Sequence, residues 1–146
     1  MNISNFKYKS EKINVFGIDI NNQKKVLKTL NKIFSEQNFT QFDLIIDDGS
    51  HNLSGILISF KFFFKNLKNK GLYVIEDFKH PNYYDNYRDI YHILVDEFLR
   101  NLKNKKCFTS KIFNDFEQKE LISSIEMVEI FKGNLNNSDI SFITKA

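Results

Sequence analysis

A single cysteine, Cys107, stands in a chain of 146 residues, so no internal disulfide can hold the fold. One proline and five glycines leave no Pro/Gly/Ser-rich linker, and no internal repeat is visible. One compact domain over residues 1–146 is therefore expected. No run approaches the roughly eighteen apolar residues of a membrane span, which argues against a membrane partner. The opening "MNISNFKYKSEK" lacks the apolar stretch of a signal peptide, so cytoplasmic is the expected localisation. Nor does one sign of charge dominate. The 21 basic and 18 acidic residues sum to +3, a solvated surface rather than a nucleic-acid footprint. What the chain does have is apolar mass: 42% hydrophobic and 15% aromatic residues, enough to offset the entropy of ordering and to exclude disorder.

The apolar residues fall into alternating strand-like and helix-like segments. Residues 13–18 (INVFGI) read as a strand ended by Asp19. Over residues 22–36, Val26, Leu27, Leu30, Ile33 and Phe34 recur at helical spacing. Phe42–Asp47 reads as a second, buried strand, and residues 53–67 as an apolar helix closed by "NKG", with Gly71 in a left-handed conformation. "LYVIED" repeats the pattern of a strand running into carboxylates. From Tyr87, the residues Ile90, Tyr91, Leu94, Val95, Phe98, Leu99 and Leu102 mark the clearest amphipathic helix. "LISSIEMVEIFKG" and "NLNNSDISFITKA" form two alternating runs, a terminal antiparallel hairpin. The order indicates an α/β fold with a mostly parallel sheet.

The candidate chemistry lies at the strand ends, where open α/β sheets place their ligand crevices. Asp47, Asp48 and His51 follow one strand; Glu76 and Asp77 follow the next. If the two strands are neighbours, Asp48, Glu76 and Asp77 converge as hard oxygen donors suited to Mg²⁺ or a similar divalent cation. Gly49 would let the backbone turn and aim His51 over the same crevice. A plainer alternative is that Asp48, Ser50 or Asn52 caps the helix beginning near Leu53. His80 and His92 are assigned no chemistry, and Cys107 follows a basic run without an evident base partner. The Phe-rich "FKFFF" reads as helix packing, because no basic stripe interleaves with it.

"FDLIIDDGSH" followed by "GLYVIED" resembles the class I S-adenosylmethionine-dependent methyltransferases, and among them the metal-dependent sugar O-methyltransferases. The closing "IEMVEIFKG" and "SDISFITK" are similar to that family's terminal hairpin. The resemblance implies a Rossmann-like sheet, S-adenosylmethionine and Mg²⁺ (or Mn²⁺) as cofactors, and a small-molecule or glycan hydroxyl as acceptor. It implies Asp48, Glu76 and Asp77 as metal ligands and His51 as general base, with Asp19 and Asp47 toward the donor.

The family's Gly-rich donor turn is missing, since the glycines fall at 17, 49, 55, 71 and 133. "NVFGIDIN" is better matched to the family's third strand, because only one helix separates Asp19 from Phe42 and each βαβ unit takes roughly 30 residues or more. The expectation is a truncated domain lacking the first two strand-helix units, with residues 13–18 pairing in parallel directly beside Phe42–Asp47. Two functions of different class follow: a catalytic portion that needs a second polypeptide for the donor half, or a non-catalytic remnant or interaction subunit. A metal-dependent hydrolase is a weaker third, lacking a second metal cluster or a phosphate loop.

Overall fold

The computed structural model describes residues 16–49, 51–79, 93–134 and 138–146. The chain divides into two compact units, residues 1–40 and residues 41–146. In the first, α1 (Gln23–Gln37) starts at Asn22, whose side chain accepts the Lys25 amide at 3.1 Å, and ends at Asn38 in the left-handed region (φ 53°). Val26 and Leu30 are its buried residues, and Phe34 meets Phe39 edge-on across the helix end. Residues 13–15 of the expected first strand lie outside the described residues. Phe16, Gly17 and Ile18 carry no strand and lead instead into a turn at Asp19.

The second unit is an α/β layer: β1 (Phe42–Asp47), α2 (Leu53–Phe63), β2 (Leu67–Glu76), α3 (Val95–Lys103), α4 (Asp115–Ser123), β3 (Ile125–Phe131) and β4 (Ile140–Lys145), with a short 3₁₀ turn over Phe64–Asn66. The sheet order is β1-β2-β4-β3. β1 and β2 are parallel, and the expected terminal hairpin supplies the antiparallel pairings β2-β4 and β3-β4. Among the described strands β1 has β2 as its sole neighbour, so the expected partner on its other side is not found there.

Register explains the core. Ile45, Tyr73, Ile143 and Val128 stand side by side across all four strands. All but the half-buried Ile45 are buried, and they pack with Leu53, Leu57 and Phe60 of α2 and Phe98, Leu99 and Leu102 of α3. Phe60 links the layers: its ring meets Tyr73 edge-on at 4.9 Å and Phe98 at 5.3 Å, and stacks on Phe64 at 4.7 Å. The "FKFFF" aromatics thus pack within the fold, as the absence of an interleaved basic stripe suggested. Because successive strand residues alternate faces, Leu44 and Ile46 point away from this core and are 50% and 57% exposed. β1 is consequently half-buried, where a wholly inward strand was expected.

Three local readings change. The left-handed residue near "NKG" is Lys70 (φ 64°), inside an irregular start to β2, while Gly71 has no positive φ. Gly71 is needed for space: a Cβ there would lie 2.8 Å from the Lys68 carbonyl and from Leu67 Cγ, and 3.1 Å from the Asp43 carbonyl. Residues 121–123, expected in the first hairpin run, end α4. Asn114 accepts the Glu117 amide while Glu117 accepts the Asn114 amide, a reciprocal capping box that starts this helix. The helix expected from Tyr87 begins at Val95, after Leu94 in an extended conformation, and residues 80–92, including His80 and His92, lie outside the described residues. No described helix is long and apolar enough to cross a membrane.

Candidate functional site

Parallel pairing of β1 with β2 brings their carboxyl ends together, and both strands stop at acids. Asp47 pairs with Ile75, so Asp48 and Asp77 leave the sheet nearly abreast. One ligand atom from each of Asp48, His51 and Asp77 lies within 4.8 Å of the other two. His51 Nε2 is 3.9 Å from Asp48 Oδ1, with Asp48 exposed and His51 half-buried. Two carboxylates and an imidazole at this spacing are a donor set for a hard or borderline divalent cation, with room for waters.

Backbone geometry makes this convergence specific. His51 (φ 52°) and Asp77 (φ 53°) both occupy the left-handed region, which costs energy for residues with a Cβ. Asp77 takes this conformation immediately after β2, and His51 takes it just before Asn52, the cap of α2. Gly49, expected to make the sharp turn, has no positive φ; its role is clearance, since a Cβ would sit 2.9 Å from Asp47 Oδ1. Capping is performed by Asn52, whose side chain accepts the Gly55 amide at 2.6 Å. That leaves Asp48 without a capping duty at α2. Ser50 lies outside the described residues.

The remaining candidate residues are placed elsewhere. Glu76 is not part of the Asp48–His51–Asp77 group: it shares the strand parity of Val74, which directs it to the sheet face opposite Tyr73 and Ile75. Asp47 shares the parity of Ile45 and faces α2. Its Oδ2 accepts the Tyr73 hydroxyl at 3.1 Å, and Ser59 Oγ lies within hydrogen-bond distance of that hydroxyl at 3.1 Å. Burial pushes the Asp47 carboxyl above its ordinary pKa, opposed by the Ser59 and Tyr73 hydrogen bonds and by His51. Burial and then the Asp47 charge hold the Tyr73 phenol well above its usual value, which keeps it a donor. Asp19, exposed in the first unit, accepts the Asn21 backbone and side-chain N–H groups at 3.0 and 3.2 Å and organises the turn before α1. Cys107 is exposed.

Sequence reasoning missed the groups that brace this site. Tyr73 and Ser59 gave no signal beyond ordinary strand and helix residues. Behind Asp77, the Asp139 carbonyl accepts the Asp77 amide at 3.0 Å. Asp139 is itself 1% exposed, its carboxylate taking the Gly133 amide at 2.7 Å and the Lys132 ammonium. Lys132 also reaches Asp96 at 2.8 Å and lies 5.2 Å from the centre of the Phe78 ring. Burial favours a neutral Lys132 amine, but the hydrogen bonds to Asp139 and Asp96 outweigh it and raise its pKa.

A search of solved structures gives the fold a precedent. The MycE methyltransferase of the mycinamycin biosynthetic pathway, solved with Mg, SAH and mycinamycin VI, superposes with a TM-score of 0.57 at 21% identity, over 89% of this chain and 31% of that one. The fold is one that part of that methyltransferase shares. A second MycE structure, with Mg and SAH, gives the same TM-score at 22% identity and the same coverage. This chain thus spans less than a third of the length of these structures. No protein-family model matches the sequence, and no curated protein does.

Proposed function

We propose that this chain carries the acceptor side of an S-adenosylmethionine-dependent, Mg²⁺-assisted O-methyltransferase acting on a sugar or related hydroxyl. The observation that carries the reading is the convergence of Asp48, His51 and Asp77 beyond two parallel strands. The fold is shared with a methyltransferase solved with Mg and SAH. The donor set fits a divalent cation, which Asp48 and Asp77 would hold. A cation bound there would lower the pKa of an acceptor hydroxyl, too weak an acid to react at neutral pH by itself.

The protein's own contribution is then orientation and proton transfer. His51 Nε2, beside Asp48, accepts the hydroxyl proton. The freed acceptor oxygen bonds to the sulfonium methyl carbon as the carbon–sulfur bond breaks, leaving a thioether and a methyl ether. Left-handed turns at His51 and Asp77 fix both groups at the same strand edge, which limits the reorientation needed for in-line attack.

Donor binding is assigned to a second polypeptide segment, because none of the five glycines forms a Gly-rich turn after a strand. The same observation supports a second reading, a non-catalytic remnant or interaction subunit. Titration with Mn²⁺ and then with S-adenosylmethionine, beside a methyl-transfer assay on sugar acceptors, separates the two. The catalytic reading expects Mn²⁺ binding that Asp48→Asn weakens, and methyl transfer once a donor-binding segment is supplied. Equal Mn²⁺ binding by wild type and Asp48→Asn would reject the metal assignment. Tight donor binding by this chain alone would reject the assignment of the donor site elsewhere.

A further inference from the structure

We infer that Lys132 and Asp139 form a positioning clamp for Asp77, an inference that rests on the proposed role of Asp77 as a cation ligand. Asp77 follows the last residue of β2, and its left-handed φ of 53° is a conformation that the backbone does not choose without support. Two contacts supply the support. Phe78, the next residue, is fully buried in the core, and the Asp77 amide donates to the Asp139 carbonyl at 3.0 Å.

That carbonyl is useful only if residue 139 is itself held. It precedes β4, and the segment joining it to β3 is anchored at both of its ends by one carboxylate. Asp139 Oδ1 takes the Gly133 amide at 2.7 Å, and Oδ2 takes the Lys132 ammonium. Lys132 is tied in turn to Asp96 on α3 at 2.8 and 3.0 Å, and Lys79, two residues past Asp77, donates to the Asn134 carbonyl at 2.8 Å. One ammonium and one buried carboxylate therefore join the hairpin connection to the first turn of α3, and the Asp139 carbonyl and Lys79 tie the residues after β2 to them. A buried carboxylate persists because it is paired and hydrogen-bonded. Here the pairing also sets where the Asp77 backbone stops. Supporting partners of this kind commonly change metal affinity by about 10–100-fold when removed.

The test compares Lys132→Met, Lys132→Arg and Asp96→Asn with wild type in the full chain, using Mn²⁺ titration and residue-resolved amide hydrogen exchange. Lys132→Met is expected to weaken Mn²⁺ binding about tenfold or more and to speed exchange at Asp77 while the Val74 and Ile75 amides stay protected. Lys132→Arg should restore both. A folded Lys132→Met protein with unchanged Mn²⁺ affinity and an unchanged Asp77 amide overturns the clamp. If Lys132→Met fails to fold, Asp96→Asn, which loosens Lys132 while leaving Asp139 its cation, should show the same selective changes in smaller degree; their absence overturns the clamp as well. If wild type binds no Mn²⁺, the metal reading fails separately, and exchange at Asp77 alone decides whether the clamp exists.

Discussion

Replacing Tyr73 by phenylalanine tests the brace beneath the site with the smallest possible change. The ring is fully buried and packs edge-on against Phe60 at 4.9 Å, so the Tyr73→Phe variant keeps the apolar contact and removes only the hydroxyl. That hydroxyl bonds Asp47 Oδ2 and Ser59 Oγ, each at 3.1 Å. A hydrogen bond to a charged group contributes about 1.5–3 kcal/mol, and leaving a buried partner unsatisfied costs a similar amount. Asp47 retains Ser59 as a donor, which discounts the loss to about 1–2 kcal/mol. Urea unfolding of the full chain at neutral pH, followed by circular dichroism, should show a lower midpoint with an unchanged slope. In the double variant with Asp47→Ala the two effects should fall short of additivity, because each removes the same bond. A Tyr73→Phe protein within about 0.3 kcal/mol of wild type, or strict additivity in the cycle, would refute the argument that this bond supports the strand end.

Two further outcomes follow from the described contacts. Gly71→Ala should cost about 1–3 kcal/mol of stability and so lower the urea midpoint, because two of the three atoms nearest the new Cβ are backbone carbonyl oxygens that cannot turn aside; a midpoint equal to wild type would reject the close approach of Asp43 and Lys68. Glu117 has its pKa lowered from 4.5: burial would raise it, but the Lys61 hydrogen bond, the Asn114 amide and the Lys61 charge prevail. Its stabilisation is therefore complete above about pH 4.5 and is lost as pH falls through the lower folded-state value. Glu117→Gln should flatten stability over that acid range in thermal melts, and a profile parallel to wild type would reject the pairing as a source of acid sensitivity.

The sequence by itself determined the elements whose signals are local. Helical spacing from Val26 to Phe34 locates α1, alternation in the tail locates β3 and β4, and the two strands that run into acids locate β1 and β2. It also placed Asp48, His51 and Asp77 at strand ends, since a strand's carboxyl end can be read from where its apolar run stops. No helix was expected over Asp115–Ser123: the structure supplies it with the Asn114–Glu117 capping box at its start, and the apolar alternation from Leu121 masked its end. Tertiary structure decided the rest. Strand parity relative to the core sends Asp47 inward to Tyr73 and Glu76 to the opposite face, and parity acquires meaning only once it is known which face carries α2 and α3. The left-handed turns fall on His51, Lys70 and Asp77 instead of the nearby glycines, and of the atoms that crowd a Cβ at Gly49 and Gly71 only the Asp43 carbonyl beside Gly71 is brought in from another strand. The link from Asp96 through Lys132 and Asp139 to Asp77 joins residues far apart in the chain, a relation that spacing along one segment does not encode.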